Sequence, residues 1–212
     1  MVLQHGPQGP AARLTEWLEA RGIDYELHRA WDGPPPSDAG AFGFLASLGS
    51  AQSVNAREPQ WIAAEVELLR DALRADVPVL GLCWGGQALS VALGGQVAPA
   101  AMPEIGWLTV PSPDEAIPEG PWLHYHYEAF SVPAGATELA RSPAGPAAFR
   151  AGRNLGLQFH PEATETMGEI WAHNDPNLSV AEVQTMAREG ARYGPSARAQ
   201  AFTLFDAWYA AL

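Results

Sequence analysis

Val77-Pro78-Val79-Leu80-Gly81-Leu82-Cys83-Trp84-Gly85-Gly86-Gln87-Ala88-Leu89 is the stretch that decides how this chain is read. The apolar run 77–82 predicts a buried strand. Residues 87–93 predict a helix, which Gly94-Gly95 closes. Cys83, the only cysteine, therefore falls on a sharp strand-to-helix turn, with Gly81 two residues before it and Gly85 two after. Such a turn projects a side chain into the open and strains its backbone, and small neighbours let helix and ligand come close. The helix N-terminus beneath it favours thiolate over thiol. A lone cysteine is commonly an inert buried residue; a glycine on each side, between a strand and a helix, turns the reading toward a nucleophile.

Upstream, residues 1–5 predict a first strand. Residues 11–21 predict a helix with Leu14, Trp17 and Leu18 on one face and Gly22 as its stop. Residues 25–28 suit a second strand, and the Pro- and Gly-rich residues 32–40 a surface loop. Residues 42–48 suit a third strand ending at Gly49-Ser50. Residues 59–75 are the clearest helix, with an apolar stripe of Trp61, Ile62, Val66, Leu68, Leu69 and Leu73. Helix and strand in alternation predict parallel strands with crossover helices.

Downstream the pattern changes. Short strand-like runs at 107–110, 122–127, 138–140 and 147–150 alternate with Pro and Gly turns, which predicts antiparallel hairpins added to the parallel sheet. Residues 155–160 return as an apolar strand. The tail 167–212 is mostly helical, with one long helix over 196–211. No repeat or linker interrupts the chain, so residues 1–212 are expected to form a single domain.

A formal net charge of −12, from 12 basic and 24 acidic residues, argues against nucleic-acid binding. With one cysteine no internal disulfide framework exists, which fits a reducing, cytoplasmic setting. Residues 1–6 have no basic, then apolar, leader pattern, and no apolar run is long enough to span a membrane.

Thiol catalysis needs a base, and the base needs an orienter. Gly156-Leu157-Gln158-Phe159-His160-Pro161-Glu162 offers both. His160 closes an apolar strand. In extended backbone His160 and Glu162 point to the same side, and Pro161 suits a strand end because it donates no ladder hydrogen bond.

Together the two motifs resemble the class I (triad) glutamine amidotransferases. Trp61-Ile62-Ala63-Ala64-Glu65, Pro103-Glu104-Ile105-Gly106-Trp107 and Ala148-Phe149-Arg150 are similar to small stand-alone members. The resemblance implies a flavodoxin-like α/β fold: a mostly parallel sheet flanked by helices, with the added antiparallel hairpin region. It implies that Cys83 attacks the side-chain amide of glutamine, that His160 moves the proton, and that Glu162 holds His160. A γ-glutamyl thioester then forms and is hydrolysed, and no cofactor is implied. It also implies an oxyanion site made from the backbone N–H of Trp84 and one from the loop at Ser50.

Two departures from the family pattern stand out. Where members usually carry Gly-Gly-Pro, this chain has Leu48-Gly49-Ser50-Ala51-Gln52-Ser53, so Ser50 replaces the second glycine. Where members often have His-Gly-Asp, it has His126-Tyr127-Glu128. Glu128 and Tyr127 are thus expected at the substrate, with Gln87 in the family's position for gripping the amino-acid end. The substrate implied is glutamine or another γ-glutamyl compound, with a separate synthase subunit as ammonia acceptor. The alternatives are a γ-glutamyl peptidase acting on a biosynthetic intermediate, and a non-catalytic binding protein with a degenerate oxyanion hole. His124 and His126 can share a strand face and meet His5 or His173, but no cysteine or carboxylate spacing supports a metal site, and none is expected.

Overall fold

The structure, a computed structural model, describes residues 1–212. In chain order the elements are β1 (Val2–Gln4), α1 (Ala12–Ala20), β2 (Leu27–Arg29), β3 (Leu45–Ser47), α2 (Trp61–Arg74), β4 (Val79–Leu82) and α3 (Trp84–Ala92). There follow β5 (Val97–Leu108), β6 (Trp122–Phe130), β7 (Thr137–Ser142), β8 (Gly145–Ala151), β9 (Asn154–Leu157), α4 (Glu165–Asn174) and α5 (Val180–Tyr209).

Seven strands form one sheet in the order β2-β1-β3-β4-β9-β8-β7. The first five are mutually parallel, and β8 and β7 continue the sheet antiparallel. The parallel part has the doubly wound order in which ligands bind beyond the carboxyl ends of the strands.

Short apolar strands work here because both faces are covered. Successive residues serve opposite cores. Val2, Ala46, Leu80 and Leu82 face Leu14, Trp17 and Leu18 of α1 and Ala201, Leu204 and Phe205 of α5. Leu3, Leu45 and Val79 face Ile62, Val66 and Leu69 of α2 and Ala88 and Leu89 of α3. No helix is long and apolar enough to cross a membrane.

Three expectations need correction. The hairpin β5–β6 forms its own two-stranded sheet rather than joining the large one; it packs Trp107 and Leu123 against Met167 and Ala172 of α4 and Met186 and Ala197 of α5. The strand before His160 ends at Leu157, and His160 instead pairs with Leu123 of β6, its amide donating to the Leu123 carbonyl at 2.9 Å. Finally, the last helix does not begin after Pro195. It runs from Val180 through Pro195 to Tyr209. Proline costs that helix the bond to the carbonyl four residues back. Packing of Gly190 and Gly194 against Glu165 and a bond from Arg13 to the Gly194 carbonyl at 3.1 Å hold the two halves in line.

Candidate active site

β4 ends at Leu82 and α3 begins at Trp84, so Cys83 alone makes the turn. Its backbone has φ 51° and ψ −105°, a conformation L-residues rarely adopt. The turn is held because the Cys83 amide donates to the Leu157 carbonyl at 2.8 Å and the Gly85 amide to Leu48 at 3.0 Å. The glycines are a steric requirement: a Cβ on Gly85 would lie 2.0 Å from the Ser47 carbonyl oxygen, and one on Gly81 2.4 Å from that of Gly85.

His160 Nδ1 lies 2.7 Å from Glu162 Oε1. A carboxylate accepts, so this nitrogen carries the proton and Nε2 is left for Cys83. Cys83, His160 and Glu162 are 5%, 4% and 2% exposed, so the three sit in a closed site. Burial alone would push the His160 imidazolium down. The negative charges of Cys83 and Glu162, and the hydrogen bonds the ring donates to both, outweigh it and raise its pKa to about 10.

The loop after β3 borders the pair directly. A Cβ on Gly49 would come within 2.7 Å of His160 Cε1 and 3.8 Å of Cys83 Cβ. The amides of Ser50 and Trp84 donate to no acceptor in the protein, as an oxyanion site requires. Ser50 lies outside the left-handed region, so its Cβ brings no strain to the loop.

The residues expected around the substrate are only partly together. Gln87 donates to the Glu128 carbonyl at 3.0 Å and reaches Gln158 Oε1 at 3.4 Å. Gln158 Nε2 in turn lies 3.8 Å from Cys83 Sγ. The Glu128 carboxylate accepts from Ser53 Oγ at 3.0 Å. Tyr127 is 45% exposed, and its hydroxyl donates to Asp175 Oδ2 at 2.9 Å, as does that of Tyr125. Tyr127 is therefore tied to the segment between α4 and α5. Three further neighbours were not singled out from sequence. Gln158 lies inside the His160 motif. The carbonyl of Tyr125 is 4.0 Å from Cys83 Sγ, and the ring of Trp171 sits 4.9 Å from that of His160. Trp171 arrives on α4, the helix that follows the His160 motif, and no local pattern announces that its ring turns back onto His160.

His124 and His126 do share a face, but neither His5 nor His173 joins them. The carboxylate that spacing did not reveal is Glu104, brought opposite His126 by the β5–β6 register. Glu104 Oε2 lies 3.1 Å from His124 Nδ1 and from His126 Nε2. Burial would raise the Glu104 pKa, but hydrogen bonds from the two histidines hold it well below the usual carboxylate range. The three ligand atoms are close enough to hold a small divalent cation. They also satisfy one another as a carboxylate bridged between two rings.

The sequence model described as "Glutamine amidotransferase class-I" matches residues 53–172, more than half of the chain. The chain belongs to this family. Among curated proteins it is 31% identical over 186 residues to a GMP synthase [glutamine-hydrolyzing] of Alkalilimnicola ehrlichii, covering 78% of this chain and 34% of that protein. It is 36% identical over 148 residues to the enzyme of the same name from Thermomicrobium roseum, covering 62% and 25%. The chain thus spans only about a third and a quarter of the length of these relatives. Among solved structures, a glutamine amidotransferase of Methylobacillus flagellatus superposes with a TM-score of 0.86 at 25% identity, covering 100% of this chain and 94% of that one. A glutamine amidotransferase of Thermotoga maritima shares the fold at a TM-score of 0.85 and 19% identity, covering 98% and 96%. This class I amidotransferase domain accordingly has the family's α/β sheet, with the separate β5–β6 hairpin beside it.

Proposed function

We propose that this domain hydrolyses the side-chain amide of glutamine through a γ-glutamyl thioester on Cys83 and delivers ammonia to a synthase. The observation that carries the reading is the strained turn at Cys83, set beside a buried His160–Glu162 pair. His160 takes the thiol proton, and the thiolate adds to the amide carbon. The oxyanion meets the amides of Ser50 and Trp84. The tetrahedral adduct collapses as His160 gives its proton to the leaving nitrogen, and ammonia departs. Water, deprotonated by His160, then adds to the thioester and releases glutamate and the Cys83 thiol. Glu162 keeps Nδ1 protonated and the ring oriented throughout. In this reading Gln87 and Glu128 bind the amino-acid end. Support for a synthase acceptor comes from the GMP synthase relatives, of which the matched segment is only a part.

The test is glutaminase activity of the wild type against Cys83→Ala. Loss of the nucleophile is expected to lower kcat by about four orders of magnitude or more with the fold retained; a variant close to wild type would sink the thiol mechanism.

A second reading is favoured by Tyr127 and Glu128, both larger than the residues the family usually has there. In it the same chemistry cleaves a bulkier γ-glutamyl amide and frees an amine instead of ammonia. Product analysis separates the two. A catalytically dead binding protein would react slowly or not at all at Cys83 with a glutamine-like electrophile.

A further inference from the structure

Another histidine with a buried side chain packs against Trp84, next to the nucleophile, and the mechanism above does not use it. His5 follows β1, and its side chain is fully buried. Its ring stacks on Trp61 at 4.8 Å and 12° and packs against Trp84 at 4.6 Å. Nε2 is 2.8 Å from Oε2 of Glu65, itself 1% exposed, and the other oxygen of Glu65 accepts from Ser47 Oγ at 2.6 Å. Nδ1 is 3.1 Å from the carbonyl oxygen of Gly49.

Burying a histidine with a carboxylate costs desolvation that apolar packing would avoid. What the arrangement secures is a fixed donor. A carbonyl oxygen can only accept, so the proton between His5 and Gly49 sits on Nδ1. Glu65 takes up the opposite nitrogen, and the two indole rings prevent the imidazole from turning. His5 therefore presents one N–H, in one direction, to the Gly49 carbonyl.

That carbonyl belongs to the Gly49–Ser50 peptide. In a trans peptide the N–H points opposite to the C=O, so a bond that pulls the Gly49 carbonyl toward His5 turns the Ser50 N–H away from it. The Ser50 amide has no acceptor in the protein, and Gly49 lies against His160 and Cys83. Glycine at 49 leaves this peptide free to turn over unless something holds it. The His5 ring also touches Trp84, whose amide is the other unpaired donor at the site.

We propose that His5, braced by Glu65, is a positioning residue that locks the Gly49–Ser50 peptide with its N–H available to the oxyanion formed at Cys83. This rests on the reading of Cys83 as nucleophile. It also explains how a serine can stand where the family has a second glycine: the peptide is already turned, and position 50 needs no left-handed conformation.

The experiment uses three variants of the full chain. His5→Phe keeps a ring between the tryptophans and removes the donor. His5→Asn sets an amide nitrogen near the place of Nδ1, and His5→Gln sets one near the place of Nε2. Each is assayed for glutamine hydrolysis and for the rate at which iodoacetamide alkylates Cys83, a displacement that forms no oxyanion. His5→Phe and His5→Gln are expected to lower kcat by about 100- to 1,000-fold, as for a lost oxyanion donor. KM and the alkylation rate should stay within about threefold of wild type, and His5→Asn should recover at least about tenfold of the lost rate. Unchanged kcat in both donor-less variants overturns the proposal. So does an equal fall in hydrolysis and alkylation, which would mark general disorder of the site. Should His5→Phe not fold, the Asn and Gln pair carries the comparison. A wild type inactive on glutamine would count against the proposed function instead. Crystal structures of the Gln and Asn variants then decide the positioning role: the Gly49 carbonyl must leave position 5 in the first and stay bonded to it in the second, and a carbonyl unmoved in both overturns it.

Discussion

At Cys83 a single residue makes the whole turn, and the proposed chemistry rests on it. Its φ of 51° is one of three positive values among the non-glycine residues, and the only one where a strand turns directly into a helix. His160 has its pKa raised to about 10 against burial, first by the charge of Cys83 and then by Glu162. A group with a raised folded-state pKa contributes stability that is fully present below its unfolded value of about 6.5 and lost as pH rises through the folded one. Stability from His160 should therefore fall between about pH 6.5 and about 10. In Cys83→Ala the leading raising charge is gone, so the His160 imidazole should titrate lower, as read by its ring proton resonances in NMR, and the alkaline loss of melting temperature should shrink. Identical titration in both proteins would mean that Cys83 and His160 are not coupled. Glu162→Gln removes the carboxylate on Nδ1 and leaves the pocket untouched. It should lower kcat by about three to four orders of magnitude with little change in KM; an effect confined to KM would contradict an orienting role.

At the scale of elements, the site is a junction of β3, β4, β9 and α3, and its tolerances are those of backbone against backbone. Gly85 in the first turn of α3 meets the carbonyl of Ser47 on β3. Gly86 meets the carbonyl of Leu157 on β9, where a Cβ would lie 2.4 Å from the oxygen. These contacts involve no flexible side chain that can swing aside. Gly85→Ala should thus destabilise the protein by about 3 kcal/mol or more, above its ordinary gain in helix propensity. Denaturant unfolding measures this, and a variant as stable as wild type would show that α3 can shift off the sheet without cost.

For the molecule as a whole, the two cores are unequal in reach. The face covered by α1 and α5 ties the two ends of the chain together through Trp17, Phe205 and Trp208. Trp17 also donates to Asp206 Oδ1 at 2.8 Å. Phe205 is fully buried, and its ring lies 5.6 Å from that of Trp17. Phe205→Ala should cost about 3–5 kcal/mol in urea unfolding, since a void left between two helices and the sheet collapses poorly. A loss below about 1 kcal/mol would mean that α5 contributes little to the fold.

The parallel half of the fold, the tight turn at Cys83 and the contact between His160 and Glu162 were legible from sequence alone because local signals specify them. A doubly buried strand is an uninterrupted apolar run, a tight turn shows its glycines, and two residues apart in extended chain share a side. What local signals do not carry is which elements meet and in what orientation. Trp171 reaches His160 from α4, Glu104 meets His124 and His126 through the register of a hairpin, and Pro195 stays inside α5 because Arg13 and Glu165 support the residues around it. His5 and Glu65 are the clearest case. The sequence shows a histidine after one strand and a glutamate on a helix 60 residues later, each unremarkable by its own periodicity. Their meeting beneath Gly49 follows from β1 and β3 lying side by side with α2 across them, an arrangement set by burial of the whole sheet and by no single stretch of chain.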